Sequence, residues 1–255
     1  TTAMTHLTLL PNTIYKFYVT RLCGADSSEY SFGEMFQTTC ATVSELPAFE
    51  EFNNETYLGV PLTNCWQITE QNDLTWTIAP GITYNGIGLP NTGPIEDKSG
   101  LLYGPYLFMN SSEGNVGDST SVQTESYSLG DFKSPELSFW YHMYGNQMGE
   151  LKVKLDTGSV FEIFSLAGQQ QATDLSPWKQ VVLDLSSYNL KDASVIFTGL
   201  KSVGVNSEMA IDNFALLDSC LYDTAQADFL FALDSSPLNN LIYSFSAHDR
   251  GASKY

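Results

Sequence analysis

Basic residues are scarce in this chain. Across 255 residues, 11 Lys and Arg stand against 29 Asp and Glu, for a net charge of −18. A surface of that sign repels phosphate, which argues against nucleic acid and anionic membranes as partners. No apolar run approaches the roughly 18–20 residues that a membrane-spanning helix needs, so no membrane insertion is expected. No signal peptide is visible, and the chain is expected to be mature or internal. The cysteines are Cys23, Cys40, Cys65 and Cys220. None forms a C-x-x-C pair, so the spacing of a zinc site is missing. The histidines are only His6, His142 and His248. No serine lies in a G-x-S-x-G elbow, and H-E-x-x-H and P-loop patterns are absent. The chain is therefore not expected to be an enzyme, and His142, set among aromatics, is expected to pack rather than catalyse.

What is present points to strands. The hydrophobic fraction of 43% can build a full core, and aromatics at 13% suit half-buried pleated surfaces. Residues 137–153, LSFWYHMYGNQMGELKV, place Phe139, Trp140, Tyr141 and Tyr144 before Gly145 and Gly149. Leu151, Val153 and Leu155 then alternate with Lys152 and Lys154. This predicts a strand, a glycine-bearing turn and a second strand with one buried face. Further strands are expected at Tyr106–Met109, Val122–Tyr127, Phe161–Ser165, Lys179–Leu185, Ser194–Leu200 and Glu208–Leu216. Short strands with turn signals and no helical period predict an all-β sandwich. Wide cysteine spacing in such a chain fits an oxidising, extracellular setting. Four cysteines allow three full connectivities. Cys40–Cys65, at the start of the central region, is the favoured pair, and Cys40–Cys220, joining that region's ends, is the rival.

An ordered set of segments resembles the MAM domain, an extracellular jelly-roll β-sandwich used in adhesion and recognition. The set comprises EEFNN (50–54), CW (65–66), LTWTI (74–78), GPIEDKSG (93–100), YLFMNSS (106–112), SPELSFWYHMYG (134–145), WKQVVLDLSSY (178–188) and MAIDNFALLDSC (209–220). The resemblance covers 41–220. Glu136 stands where animal members often carry a cysteine bonded to the one aligned with Cys220, so the animal disulfide scheme does not transfer. Residues 1–40 resemble the last strands of a fibronectin type III domain, through the Leu10–Thr13 turn, the Tyr15–Thr20 strand and Phe36–Thr39. Residues 221–255 resemble a linker and the first strands of a PKD domain. The combination looks like secreted bacterial proteins of the Bacteroidetes type.

The resemblance implies a structural cation. Glu50 and Glu51, Asn53, Asp97 and Asp212 match positions where related jelly rolls hold one, and Ca²⁺ takes hard oxygen ligands of this kind. The expected metal set is Glu51, Asn53, Asp97 and Asp212, with Lys98 and Asn213 lowering the local negative charge relative to the family pattern. The bland reading of the other acids is solubility. The tryptophans 66, 76, 140 and 178 all lie within family anchors and are expected in the core. Tyr57, Tyr84, Tyr103 and Tyr106, in or near loops, are the ligand-contact candidates. Asn54 and Asn110 open N-glycosylation sequons. The stretches around Ser119 and Thr224 resemble bacterial O-glycosylation acceptors.

The expected function is a non-catalytic adhesion or interaction region of a larger secreted or surface-displayed protein, binding an extracellular protein or glycan. One alternative is a carbohydrate-binding accessory region of a secreted hydrolase. Another is an extracellular filament subunit self-assembling through its incomplete end domains, with strands 14–20 or 228–246 pairing in trans.

Overall fold

The computed structural model of the chain describes residues 9–23, 26–38, 40–53, 65–70, 73–80, 91–102, 104–188 and 191–219. These residues hold sixteen strands and no helix. In chain order they are β1 (Ile14–Phe17), β2 (Leu22–Cys23), β3 (Asp26–Ser27), β4 (Glu34–Gln37), β5 (Ala48–Glu50), β6 (Gln67–Glu70), β7 (Thr75–Pro80) and β8 (Pro105–Asn110). There follow β9 (Ser119–Gln123), β10 (Tyr127–Ser128), β11 (Pro135–His142), β12 (Glu150–Asp156), β13 (Val160–Ala167), β14 (Lys179–Asp184), β15 (Asp192–Leu200) and β16 (Met209–Asp218).

Two six-stranded antiparallel sheets make a jelly-roll sandwich. One runs β13-β12-β15-β9-β6, with β10 also on β15. The other runs β14-β11-β16-β8-β7, with β5 also on β16. Burial follows sequence alternation. In β12, Leu151, Val153 and Leu155 are fully buried while the residues between them are half-buried. β16 lies central and is buried along most of its length. The core centres on Trp66, which stacks on Phe197 and meets Phe52 and Phe214 edge-on at 5.3 and 5.2 Å. Each such side chain removed from water contributes about 1.5–3 kcal/mol.

The strand–turn–strand reading of 137–153 gains a refinement. β11 and β12 lie in different sheets, so residues 143–149 cross from one to the other. Gly149 sits at this crossing, where an added Cβ would lie 1.7 Å from the Leu200 carbonyl oxygen. The expected strand Val122–Tyr127 is shorter in the fold and shifted. β9 ends at Gln123: Thr124 N still donates to Val195 O, but the Thr124 hydroxyl rather than a backbone carbonyl takes the Val195 N–H, and the regular ladder resumes at β10.

At the chain start, β1 pairs with β4 from Ile14↔Gln37 to Phe17↔Glu34, and β2 with β3. Thr38 Oγ1 donates to the Leu10 carbonyl and accepts from Thr13 N, closing the end of the β1–β4 ladder. Residues 221–255, with the expected PKD-like strands, lie outside the described residues.

Candidate functional site

The outer face of the β14-β11-β16-β8-β7 sheet carries the chemistry. In β11, Leu137, Phe139 and Tyr141 enter the main core, so the strand's alternation puts Trp140 and His142 on the opposite face. Cross-strand neighbours of Trp140 are Gln180 and Asp212. Tyr106, Phe108 and Ala210 form a second, small apolar cluster, capped by Trp178.

Two loops lie over this cluster. The segment 92–102 is tied down mostly through its own backbone. Gly93 N donates to Tyr144 O, Tyr106 Oη to Pro94 O at 2.6 Å, and Trp178 Nε1 to Glu96 O at 3.1 Å. Lys98 N donates to Asp212 Oδ2 at 2.9 Å. The Thr92 hydroxyl donates to Tyr144 O and accepts Glu208 N. The second segment, 171–178, starts at buried Gln171, whose amide bridges Met143 N and Tyr141 O. The two segments meet where Ile95 N donates to Asp174 O.

Between them opens a cleft of about 380 Å³. Trp140 forms part of its lining, with Glu96, Asp97 and Lys98 from one loop and Asp174, Ser176 and Trp178 from the other. Lys98 Nζ stands 4.1 Å from the centroid of the Trp140 ring, a cation–π contact. Among the described residues, no carboxylate lies within ion-pair distance of this ammonium. Trp178 is wedged edge-on to Tyr106 at 5.6 Å and tilted against His142 at 5.6 Å. The expectation that all four tryptophans are core is therefore corrected. Trp66 and Trp76 are core, whereas Trp140 and Trp178 are half-buried cleft walls on the outer face.

His142 is fully buried behind Trp178, and neither ring nitrogen makes a hydrogen bond of normal geometry. Desolvation pushes its pKa down to about 4, outweighing the nearby backbone of Ser176 and Thr173.

Of the expected metal set, Asp97 and Asp212 are buried and adjacent, while Glu51 and Asn53 are exposed. Asp97 Oδ1 accepts Ser99 Oγ and Leu101 N. Its carboxylate rests on Gly104, where a Cβ would meet Oδ2 at 2.1 Å. Asp212 accepts Lys98 N and Asn213 N. Glu51 Oε2 accepts from Asn53 Nδ2. Burial raises the Asp212 carboxyl to about 7 against the pull of those two N–H donors, and the Asp97 and Glu51 charges add to the rise. The donors are hard oxygens, which suits a hard cation. Among the described residues, no three Asp, Glu, His or Cys side chains group closely enough to hold a metal ion alone. Backbone carbonyls would have to complete any shell.

The remaining candidates fall as follows. Cys40 and Cys65 are disulfide-bonded, 25 residues apart. Tyr106 is corrected from ligand contact to buried support, 2% exposed, because its ring joins the outer cluster and its hydroxyl holds Pro94. Tyr57, Tyr84, Tyr103, Thr224 and Cys220 lie outside the described residues. Ser119 opens β9 and donates to Glu70 Oε1.

A family model described as MAM domain, meprin/A5/mu, matches residues 51–221. The chain is similar to MAM domain-containing glycosylphosphatidylinositol anchor protein 2 of Mus musculus, 25% identical over 179 residues, covering 66% of this chain and 18% of that protein. It is also similar to Neuropilin-1 of Mus musculus, 29% identical over 177 residues, covering 68% and 17%. Among solved structures, the K1 cleaved adhesin domain of Lys-gingipain from Porphyromonas gingivalis W83 aligns with a TM-score of 0.47 at 14% identity, over 68% of this chain and 98% of that one. The chain thus spans less than a fifth of the length of the curated relatives it matches.

Proposed function

The chain belongs to the MAM domain family, and from that premise we propose that it is a non-catalytic recognition region of a larger protein. It acts outside the cell or at its surface. Glycosylphosphatidylinositol anchor proteins among its relatives and the Cys40–Cys65 disulfide both support that setting. The partner is an extracellular protein or glycan. In this proposal, residues 1–40 end a fibronectin type III-like module and 221–255 begin a PKD-like one, in a string of secreted β modules of bacterial type. The β1–β4 ladder supports the first of these.

One observation carries the reading. Two backbone-anchored loops hold a cleft open over an outer sheet face, with half-buried tryptophans in its wall. Binding loops on a rigid sandwich are a common way to present a recognition surface. The glycan-binding alternative draws on the same Trp140 and Trp178, since aromatic faces can stack on sugars as well as on protein groups.

A calcium ion belongs to the proposal as a brace. Asp97 and Asp212 would supply the carboxylate oxygens and backbone carbonyls the rest, with exposed Glu51 and Asn53 at the margin, and the ion would offset the negative charge beside Asp212.

The test is binding of the labelled 1–255 chain to intact cells and to immobilised glycans, with a hydrolysis screen on whatever it binds. Saturable binding without turnover, weakened by Trp140→Ala, is expected. Turnover of a bound substrate would overturn the non-catalytic reading.

A further inference from the structure

The geometry points to a more specific ligand for the cleft: a single basic side chain, lysine or arginine, of an extracellular polypeptide, for which Lys98 is the built-in competitor. The inference rests on the recognition reading above and names the partner chemistry of the same site.

Three observations converge. The Trp140 ring already receives an ammonium, at 4.1 Å, from the chain's own Lys98. An aromatic face that attracts one cation will attract another of the same kind. The lining is acidic beyond what Lys98 offsets, since Glu96 and Asp174 both contribute even with buried Asp97 set aside. The chain's net charge of −18 extends that field outward and draws cationic partners toward it. A neutral sugar could stack on the ring but would gain nothing from the acidic field, whereas an ammonium or guanidinium gains from both.

The site is also preorganised. Trp178 is fixed by its bond to Glu96 O and by contact with Tyr106 and His142. Asp174 sits where the two loops are joined through Ile95 N. An arginine would stack on Trp140 and offer its planar fork to the Asp174 carboxylate, and a lysine would place one point charge there. Lys98 must first leave the ring. While it is seated, only a fraction of molecules can bind, and the apparent affinity falls by that fraction. Lys98 therefore sets a threshold that weakly basic or poorly placed partners do not cross.

The experiment is a titration of the 1–255 chain with N-acetyl-arginine methylamide and N-acetyl-lysine methylamide, read on the indole N–H resonances of the four tryptophans. Cellotetraose and chitotriose serve as neutral comparators. Saturable shifts of two indoles with the basic amides and none with the sugars are expected. Asp174→Asn should weaken binding about fivefold, while Lys98→Met should strengthen it about threefold by removing the competitor. Both should be weaker at high salt. Lys98→Met keeps the length and packing of the stem, so its gain cannot come from misfolding. Sugars shifting the indoles while the amides stay silent would overturn the inference and leave a recognition site for glycans. Silence of all probes in both wild type and Lys98→Met would also overturn it. Cell binding by the same preparation then separates the two levels: if it persists, only the basic-side-chain assignment has failed, and if it is absent, the recognition reading has failed too.

Discussion

His142 shows how place sets chemistry for a single residue. Its imidazole is buried behind Trp178, and that burial keeps the ring neutral down to about pH 4 against the pull of the nearby Ser176 and Thr173 backbone. An unfolded histidine binds a proton near pH 6.5. Between those values the unfolded chain holds the extra proton, so stability falls as pH drops from 6.5 toward 4. Replacing His142 by Leu should flatten that limb, leaving the variant roughly 1–2 kcal/mol better off than wild type relative to neutral pH when urea unfolding is compared at pH 5 and 7.5. Equal pH slopes in the two proteins would show that the ring is solvated. Gly149 is constrained by space alone. Its missing Cβ leaves room for the Leu200 carbonyl, and backbone cannot move aside as a side chain can. Gly149→Ala should cost about 2 kcal/mol or more in a denaturation midpoint measurement. The strand character of 137–143 was legible in the sequence, but the roles of its members were not all read from it. Leu137, Phe139 and Tyr141 share one parity and Trp140 and His142 the other. That signal was available and could have moved Trp140 out of the core. Trp178 offered no such signal, because its neighbours come from three separate segments.

At the scale of elements, loop 92–102 is the part that makes a site out of a sheet. Tyr106 in β8 supports it from below through the 2.6 Å bond to Pro94 O. Tyr106→Phe removes that donor while keeping the ring, so a loss of about 1 kcal/mol is expected. Amide exchange at Ile95 and Lys98 should quicken more than in β12, and uniform quickening would mean that the hydroxyl supports the whole fold instead. Strands were the legible elements, since alternation such as that of Leu151, Val153 and Leu155 reports burial directly. Their partners were less so. β11 and β12 are neighbours in sequence yet lie in opposite sheets, a fact fixed by long-range pairing with β14, β15 and β16. The loops' course depends on bonds such as Lys98 N to Asp212 Oδ2, 114 residues apart, which no local pattern encodes.

For the whole molecule, charge is the governing quantity. Burial raises the Asp212 carboxyl to about 7, with smaller contributions from the nearby Asp97 and Glu51 charges, in a chain that carries a net −18. An Asp that favours its proton in the fold contributes stability at low pH and loses it as pH rises toward 7. A calcium ion would offset the charge above that point and compete with the proton below it. The thermal midpoint of the 1–255 chain should therefore rise with excess calcium at pH 8, much less at pH 5, and not at all once Asp97 and Asp212 are both Asn. No shift at pH 8 would remove the brace. The all-β class and the MAM family were both legible, because alternation and an ordered series of segments survive at low identity. The cleft was not, because it exists only where three distant segments meet.

Loop 92–102 owes its path to its main chain, to its own Thr92 and Asp97, and to side chains on the strands and segments around it, while the tips of Glu96 and Lys98 carry little of that path. Those tips can be exchanged without redrawing the loop. Descendants of this chain could acquire new binding preferences through a few substitutions at the cleft, long before any drift became visible in the sandwich beneath it.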